Sequence, residues 1–255
     1  MADAAHLLHD AQKSGVLISP LTQTYPNLGV AQAYSVQRLN LARYLDAGAV
    51  LRGHKIGLTS APMQELLGVN EPDFGYILDS MILPNDAAVP VTAFCAPRVE
   101  PEVAFLMRAP LRGPGVTVED VMAAAEAVAP ALEIVDSRIA NWRITLADTI
   151  ADNASSGAVV LGEWVPIAQA PSLPDTTATL VVNNTTVGTG QGTAVMGHPA
   201  IAVAWLANAL AQFATGIAAG QFVMSGSYTT AAFVVAGDEA CATISGLGTV
   251  DVSFQ

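Results

Sequence analysis

The sequence predicts an α+β fold. After residue 49 the chain consists mainly of short runs rich in Val, Ile and Thr, separated by Gly and Pro, which is the pattern of β-strands. Helical periodicity is confined to the first 48 residues and to two later segments. Because the strands are followed by isolated helices, the pattern favours α+β over repeated βαβ units. We therefore expect a helical N-terminal region, residues 1–48, and a β-rich domain, residues 49–255.

The N-terminal region is predicted to contain a short helix over residues 4–13 and a longer one over residues 29–45. In the longer helix the apolar residues that recur at helical spacing are Ala33, Val36, Leu41 and Tyr44. Strands are then expected near residues 50–57, 88–95, 98–107, 131–136, 156–162, 177–183, 220–224 and 247–254. The segment 165–175, rich in Pro and Ala, is expected to be a loop.

Two helices are predicted within the β-rich part. The first begins at Thr117, whose hydroxyl can cap it together with Asp120 three residues later, and ends before Pro130. The second begins after His198, with Pro199 in its first turn. The apolar stretch that contains this second helix, residues 199–219, is interrupted by polar side chains, and this indicates a buried helix rather than a membrane span.

The bulk composition limits the classes of partner. The chain has 255 residues, of which 52% are hydrophobic, enough for a sizeable core. Its net charge of −12 argues against a nucleic acid or an anionic membrane as partner. Residues 1–12 lack a basic segment followed by an apolar one, so we expect a cytoplasmic protein. The two cysteines, Cys95 and Cys241, fit no metal-binding spacing, and we expect buried thiols, with a disulfide as the alternative.

Three glutamates occur in apolar, strand-like stretches. Glu100 and Glu102 lie two residues apart and therefore project from the same face of a strand, and Glu133 lies in a second run that can pair with it. Three carboxylates in an apolar surround repel one another and lose hydration, and a hard divalent cation relieves both problems. Ligation by oxygen alone indicates Mg²⁺ or Mn²⁺ rather than zinc. The alternative is a set of solvated edge strands, which Pro101 would favour.

A lysine in an apolar strand is the second candidate. Burial of an ammonium is expensive unless it is paired, so Lys55 could neutralise a glutamate or bind a substrate carboxylate. Gly57 lets the backbone approach a ligand, and the amides of Leu58, Thr59 and Ser60 could bind an anion. The alternative is a strand end followed by a helix that Thr59 or Ser60 caps.

Two further segments carry polar residues that could belong to a site. Asp73 precedes an aromatic residue and a glycine, where a turn aspartate is the alternative. Residues 148–157 contain Ser155 and Ser156, and a polar loop is the alternative there.

Six motifs occur together in a fixed order: Gly-His-Lys-Ile-Gly-Leu-Thr-Ser (53–60), Pro-Asp-Phe-Gly (72–75), Glu-Pro-Glu (100–102), Ala-Leu-Glu-Ile-Val-Asp-Ser-Arg (131–138), Asp-Asn-Ala-Ser-Ser-Gly (152–157) and Gly-His-Pro-Ala (197–200). In this order they resemble the 2-keto-4-pentenoate hydratase / 4-oxalocrotonate decarboxylase group of the fumarylacetoacetate hydrolase superfamily. The resemblance extends from about residue 15 to the C-terminus.

The resemblance implies a mixed β-roll with flanking helices, preceded by a small helical region. It implies that Glu100, Glu102 and Glu133 hold Mg²⁺ or Mn²⁺, and that Lys55 is the active-site lysine. It also places an acidic residue at Asp73 facing the same cavity, and a serine-rich pocket wall at Ser155 and Ser156. Members of this group commonly form homo-oligomers, and the hydratase and decarboxylase of one pathway can associate.

The activity expected first is a hydratase that adds water to a 2-hydroxy-2,4-dienoate. The alternatives are a 4-oxalocrotonate decarboxylase and, after it, an acylpyruvate hydrolase. A decarboxylase must also bind a distal carboxylate, and the basic residues near the motifs are few: Arg52, Lys55, Arg98, Arg138 and Arg143. Of these, Arg138 and Arg143 could simply lie on the surface. The chain has Thr230-Ala231 where comparable hydratases tend to have Arg-Pro. A non-catalytic partner subunit is disfavoured, because the three glutamates and Lys55 are all present.

Overall fold

The computed structural model describes residues 1–255, apart from the side chains of residues 66 and 67. Three helices precede the first strand, and four more lie among the strands. Their bounds are α1 Ala2–Ser14, α2 Leu21–Thr24, α3 Val30–Asp46, α4 Ala61–Leu67, α5 Val118–Ala124, α6 Leu146–Ala151 and α7 Pro199–Ala211. In the core, Ala4 and Leu8 of α1 and Ala33 of α3 belong to the same apolar cluster as Phe105 of the β-rich part. The division at residue 48 stays a prediction.

The strands form two sheets. Their bounds are β1 Leu51–Gly57, β2 Asp73–Leu78, β3 Ile82–Leu83, β4 Ala87–Val89, β5 Pro97–Met107, β6 Ala125–Asp136, β7 Ser156–Leu161, β8 Val165–Pro166, β9 Thr177–Val182, β10 Thr185–Gln191, β11 Phe222–Ser227, β12 Ala232–Phe233, β13 Glu239–Ile244 and β14 Gly248–Phe254. The larger sheet has the order β2-β1-β11-β5-β6-β7-β3, with β12 paired to β5 and β8 to β6. The smaller sheet has the order β10-β9-β13-β14-β4. The mixed sheets and the helices confirm the α+β prediction.

The long antiparallel pair β5–β6 lies in the middle of the larger sheet. Side chains on a strand alternate between its two faces. One face of the pair carries Val99, Leu132 and Ile134, which pack in the apolar cluster shared with the smaller sheet. The other face carries the three glutamates and continues into a third apolar cluster through Ala104 and Ala131. The glutamates therefore lie on interior strands, and the edge-strand alternative is wrong.

Apart from Pro97, the first residue of β5, two prolines lie within these central strands, at positions where the ladder is interrupted. Pro101 faces a break between the strands β11 and β12, and the amide of Tyr228 donates to its carbonyl there. Pro130 faces the break between β7 and β8, where the amide of Gly162 donates to its carbonyl. Because a proline has no amide hydrogen to give to a ladder, it is accommodated at such a break without the loss of a bond.

The helix predicted from Thr117 begins as expected but is shorter than predicted. Thr117 accepts a hydrogen bond from the Asp120 amide, and the Asp120 side chain accepts one from the Thr117 amide, which is the predicted capping box. The helix ends at Ala124, and the alanine-rich segment that follows enters β6. Pairing with β5, which extends from Ala125 to Asp136, overrides the intrinsic helical preference of alanine.

Several elements differ from the sequence prediction. The strand predicted near 88–95 is only β4, followed by a 3₁₀ turn at Val91–Ala93. The predicted loop at 165–175 contains β8 and two 3₁₀ turns. The strands β2, β3, β10, β12 and β13 and the helices α2 and α6 were not predicted. The helix α4 begins directly after Ser60, as the helix alternative for this segment expected, although no side chain caps it. The strand β2 contains Asp73, so the turn alternative for that residue is wrong. Cys95 and Cys241 are both free thiols, so the disulfide alternative is wrong, but both are only partly buried, and the expectation of buried thiols is not met in full.

The helix α7 lies within the stretch Gly192–Ala211, which is long and apolar enough to cross a membrane by length and composition alone. Half of that stretch is buried inside the protein. Eight of the helix residues are buried, on several sides of the helix, and Asn208 binds the backbone of Val116. This packing is typical of the core helix of a globular domain.

Candidate active site

The β5–β6 register brings the three glutamates together. Glu100 and Glu133 are directly opposed, and Glu102 lies two residues further along β5. One carboxylate oxygen from each residue lies within 4.8 Å of the others. Glu102 and Glu133 are fully buried, whereas Glu100 is partly exposed to a cavity. The strand alternation seen in the sequence thus leads to one compact carboxylate cluster.

The carboxylate oxygens of this cluster have few hydrogen-bond donors among the described residues. The Gly226 amide donates to Glu102 Oε2 at 2.8 Å, but Glu102 Oε1 and both oxygens of Glu133 accept no hydrogen bond. Burial, and then the neighbouring carboxylate of Glu133, raises the pKa of Glu100 to about 7 and that of Glu102 well above its ordinary value. Buried oxygens with unused lone pairs and mutual repulsion are a donor set that suits a hard divalent cation.

Lys55 lies beside this cluster, on β1. The residue is 3% exposed, and its Nζ atom lies 3.4 Å from Glu133 Oε1, close enough for an ion pair. Nζ also donates to the carbonyl of Ala154 at 2.9 Å. Burial disfavours the ammonium, but Glu133 and the further carboxylates outweigh it, so the pKa of Lys55 is raised. In the absence of a metal, Lys55 is therefore a cation.

Asp73 lies on the neighbouring strand, because β2 pairs antiparallel with β1 and sets Asp73 opposite Gly57. It is 2% exposed; Thr149 Oγ1 donates to its Oδ2 at 3.4 Å, and its Oδ1 has no hydrogen bond within the described part of the chain. Burial raises the pKa of Asp73, against the opposing effect of Lys55. Ser155 Oγ extends the chain of hydroxyls, 3.3 Å from Thr149 Oγ1.

Gly57 allows this close packing. A Cβ atom at Gly57 would collide with Asp73 Oδ1 and would lie 3.2 Å from Lys55 Nζ. The next residue, Leu58, has a φ of 56°, a left-handed conformation that is uncommon outside glycine. The chain therefore turns sharply at Leu58, directly after the segment in which Lys55 and Gly57 pack against Asp73.

A cavity of about 410 Å³ opens in front of these groups. Most of the sequence-predicted residues line it: Lys55, Leu58, Thr59, Ser60, Asp73, Glu100 and Ser155. Glu102 and Glu133 are fully buried and do not line the cavity. Ser156 is buried and does not line the cavity, so the structure does not bring this predicted residue to the pocket wall. Thr230 and Ala231, which stand where the sequence comparison expected Arg-Pro, do line it.

The rest of the cavity wall is mostly apolar, with one cation. Met63, Val135 and Ile144 contribute hydrocarbon surface. Arg98, which shares a strand face with Glu100, has its guanidinium 4.2 Å from the ring centroid of Trp142 and 4.0 Å from that of Phe233. Such a stack holds a cation in place without a carboxylate partner. The i, i+2 spacing of Arg98 and Glu100 could have indicated this placement, but nothing in the sequence pointed to the two aromatic residues.

For Arg138, the surface alternative is wrong. It is 3% exposed and its Nε lies 2.6 Å from Asp152 Oδ1, so it is a buried, paired arginine rather than a surface one. Arg143, by contrast, is exposed. The Asp-Ser-Arg sequence at the end of β6 gave no sign of a partner at Asp152, because the partner is brought in by tertiary structure.

Comparisons with known proteins agree with this fold. Residues 51–255 match the family described as fumarylacetoacetate (FAA) hydrolase C-terminal. The chain is 43% identical to a 2-hydroxyhexa-2,4-dienoate hydratase of Comamonas testosteroni, over 97% of this chain and 94% of that protein. It is 38% identical to a 2-keto-4-pentenoate hydratase of Paraburkholderia xenovorans, over 99% of this chain and 94% of that protein.

One solved structure is similar over nearly the whole chain. The 4-oxalocrotonate decarboxylase of Pseudomonas putida G7, complexed with magnesium and adipate, superposes with a TM-score of 0.95 at 34% identity, over 99% of this chain and 96% of that chain. These similarities cover nearly the whole length of each protein, and they confirm the resemblance drawn from the six motifs. The chain belongs to the fumarylacetoacetate hydrolase family, within its group of 2-keto-4-pentenoate hydratases and 4-oxalocrotonate decarboxylases.

Proposed function

We propose that the chain is a metal-dependent hydratase that adds water to a 2-hydroxy-2,4-dienoate and forms a 4-hydroxy-2-oxo acid, in the catabolism of aromatic compounds by ring meta-cleavage. The observation that carries the proposal is the three-glutamate cluster beside Lys55 and Asp73 at one end of a cavity. The hydratase names of the relatives at 43% and 38% identity support it. The enzyme class is that of the lyases.

Glu100, Glu102 and Glu133 are proposed to hold Mg²⁺ or Mn²⁺. The donor set is all oxygen, and this favours a hard cation over zinc. The related decarboxylase structure contains magnesium. When bound, such a cation would act as a Lewis acid that stabilises negative charge developing on the C2 oxygen of the substrate.

The remaining residues are proposed to bind the substrate and to move protons. Hydration places a proton on C5 and a hydroxyl on C4, while the proton of the 2-hydroxyl is replaced by one on C3. These transfers need groups that carry protons at the cavity wall, and Lys55 and Asp73 are proposed for this role because Glu100, which also lines the cavity, is proposed as a metal ligand. The amides of Leu58, Thr59 and Ser60, together with Ser155, are proposed to bind the substrate carboxylate.

The apolar lining of the cavity favours a substrate whose carboxylate end is followed by a hydrocarbon chain. Met63, Val135 and Ile144 line this region, and a conjugated dienoate would lose little by leaving water there. The second candidate is a 4-oxalocrotonate decarboxylase, and the specific observation in its favour is Arg98. Its guanidinium lines the cavity and has no carboxylate within 4 Å among the described residues, so it could pair with a distal substrate carboxylate. No observation favours an acylpyruvate hydrolase.

Three further properties are proposed on the resemblance alone. The chain is expected to form a homo-oligomer, to be able to associate with a related enzyme of its pathway, and to act in the cytoplasm. Sedimentation of the purified protein, with and without such a partner, tests the first two properties.

A product analysis with Mg²⁺ tests the function. The purified protein is offered freshly generated 2-hydroxypenta-2,4-dienoate and, separately, 2-oxohex-3-enedioate. Loss of dienoate absorbance with formation of 4-hydroxy-2-oxopentanoate is the expected result. Release of CO₂ from the dioate without hydration of the dienoate would overturn the hydratase in favour of the decarboxylase. In that event Arg98→Met should abolish decarboxylation, whereas Arg143→Met, at an exposed arginine, should not.

A further inference from the structure

The segment between α6 and β7 has an unusual backbone. Three consecutive non-glycine residues, Asn153, Ala154 and Ser155, have φ angles of 56°, 51° and 53°. A left-handed conformation costs roughly 1–2 kcal/mol for each such residue, so a run of three persists only where the surrounding structure holds it. All three residues are buried, and Ala154 and Ser155 line the cavity. We call residues 153–155 the left-handed turn.

Asn153 fixes one side of the left-handed turn to the strand β2. Its Oδ1 accepts from the Tyr76 amide at 2.8 Å, and its Nδ2 donates to the Tyr76 carbonyl at 3.0 Å. The backbone of the turn also lies close to Gly75, where any Cβ atom would collide with the Asn153 carbonyl. The left-handed turn thus packs directly against β2, the strand that contains Asp73.

Arg138 holds the residues on both sides of the left-handed turn. Before the turn, its amide donates to Asp152 Oδ2 at 2.9 Å, its Nε to Asp152 Oδ1 at 2.6 Å, and its Nη2 to the Asp152 carbonyl. After the turn, its Nη1 donates to the Ser156 carbonyl at 2.9 Å. The only other carboxylate within 4 Å in the described structure is Asp136, at 3.9 Å. One planar guanidinium therefore spans the turn, which the single ammonium of a lysine could not do.

The left-handed turn presents its middle carbonyl to the active site. Lys55 Nζ donates to the Ala154 carbonyl at 2.9 Å, and this is its shortest polar contact. Its other partner, Glu133 Oε1, is further away at 3.4 Å. The position of Nζ between the carboxylate cluster and Asp73 therefore depends on where the turn places the Ala154 carbonyl.

We propose that Arg138 is a positioning residue for Lys55. It makes no contact with the cavity, and it acts by holding the left-handed turn whose carbonyl fixes Lys55 Nζ. The inference rests on the proposed function only in taking Lys55 as a catalytic residue; the placement of Nζ is a structural property that exists without substrate.

The test uses Arg138→Lys, which keeps the positive charge beside Asp152 but cannot span the turn. Turnover is expected to fall about 10- to 100-fold, the cost of a small displacement of a catalytic group, with little change in KM. Mg²⁺ affinity, measured by calorimetry, should stay close to that of the unmodified protein, because no glutamate moves. Arg143→Lys, at an exposed arginine, is the matched control. Turnover of Arg138→Lys equal to that of the control would overturn the proposal.

Two further measurements separate positioning from general support of the fold. In a Lys55→Met background, Arg138→Lys should have almost no additional effect on turnover, whereas a loss of the same factor in both backgrounds would contradict action through Lys55. The ¹⁵N resonance of Lys55 Nζ, read against that of Lys13, the chain's other lysine, should shift in Arg138→Lys without any substrate present. An unchanged resonance would overturn the proposal, whether or not the chain hydrates dienoates.

A second variant covers the case in which Arg138→Lys does not fold. Arg138→Gln combined with Asp152→Asn removes both charges of the close ion pair, and Asp136 keeps the hydrogen bonds that it accepts from the amides of Cys95 and Ala96. It should show the same loss of turnover and the same shift of the Lys55 resonance. If neither variant folds, the role of Arg138 is structural support and the proposal is wrong.

Discussion

Glu100 and Glu133 face each other directly across the antiparallel strands β5 and β6. Like charges at opposed positions destabilise a sheet, and burial adds to the cost of each charge. In the metal-free protein the carboxylates therefore repel one another at the centre of the larger sheet. A divalent cation bound there would attract each of them and offset this repulsion. Metal binding and stability should be coupled at this point of the fold.

Glu102→Gln should separate this stability effect from activity. The variant should abolish metal-dependent turnover and the rise in Tm that Mg²⁺ produces. In EDTA it should be more stable than the unmodified protein, by about 2–4 °C in Tm for each kcal/mol of repulsion removed. Thermal unfolding with and without Mg²⁺ measures both. Glu126→Gln, an exposed glutamate on the same strand as Glu133, is the control and should change neither property. Full activity in Glu102→Gln would refute the metal assignment.

Lys55→Met should remove turnover without removing the metal site. Loss of a positioned proton-transfer group costs about 10²- to 10⁴-fold in rate, and the three glutamates remain in place. The steady-state rate and the Mg²⁺ affinity measure the two effects. Lys13→Met, at the exposed end of α1, is a close control because the chain has only these two lysines. If Lys55→Met lowered solubility and left the specific rate intact, Lys55 would be a structural residue.

Gly57→Ala and Gly53→Ala should have contrasting effects, although both lie on β1. A Cβ atom at Gly57 would displace the Asp73 carboxylate, whereas one at Gly53 would collide with the backbone carbonyl of Phe222 on the paired strand β11. We expect Gly57→Ala to lower turnover more than Tm, and Gly53→Ala to lower Tm. Turnover and Tm, measured for both variants, test this contrast. An equal loss of Tm in both variants would indicate that Gly57 is needed for the packing of β1 rather than for the position of Asp73.

His54 should make the stability of the protein sensitive to acid. It is buried, its Nε2 has no hydrogen-bond partner in the described structure, and burial lowers its pKa to about 4. Between pH 6.5, the ordinary value, and pH 4 the unfolded chain binds more protons at this residue than the folded one, so stability falls as the pH falls. The full effect is about 3 kcal/mol, from 1.36 kcal/mol for each unit of pKa.

A comparison of His54→Leu with the unmodified protein separates the effect of His54 from the titration of the carboxylates. The free energy of unfolding of His54→Leu should decline less between pH 6.5 and pH 4 than that of the unmodified protein. His6→Leu, at an exposed histidine, should decline as the unmodified protein does. Parallel declines in all three proteins would show that His54 is not the source.

Local patterns in the sequence predicted the parts of the site that strands create. The i, i+2 spacing of Glu100 and Glu102 fixes their common face, and an apolar strand made Lys55 conspicuous. The pairing of Glu133 with Glu100 was expected only as a possibility, because register depends on contacts across the whole of β5 and β6. The role of each site residue stays a prediction for the experiments above.

Tertiary contacts explain what the sequence did not predict. The alanine-rich start of β6 has helical propensity, and only its pairing with β5 makes it a strand. A surface position stayed open for Arg138 because its partner Asp152 follows an intervening loop and helix. The strand β10, mostly exposed and rich in Thr and Gly, lacks the apolar alternation by which strands are recognised.

The two kinds of residue around the cavity come from different parts of the fold. The glutamates and Lys55 lie on paired central strands, whereas Met63, Trp142 and Thr230 lie in a short helix, a turn and a loop that border the cavity. Strands in the middle of a sheet tolerate little change, while such bordering segments vary freely. Relatives of this protein can therefore keep the same residues on the central strands and differ in the substrate tail that they accept. Such differences would lie in bordering segments that the sheet does not need in order to fold.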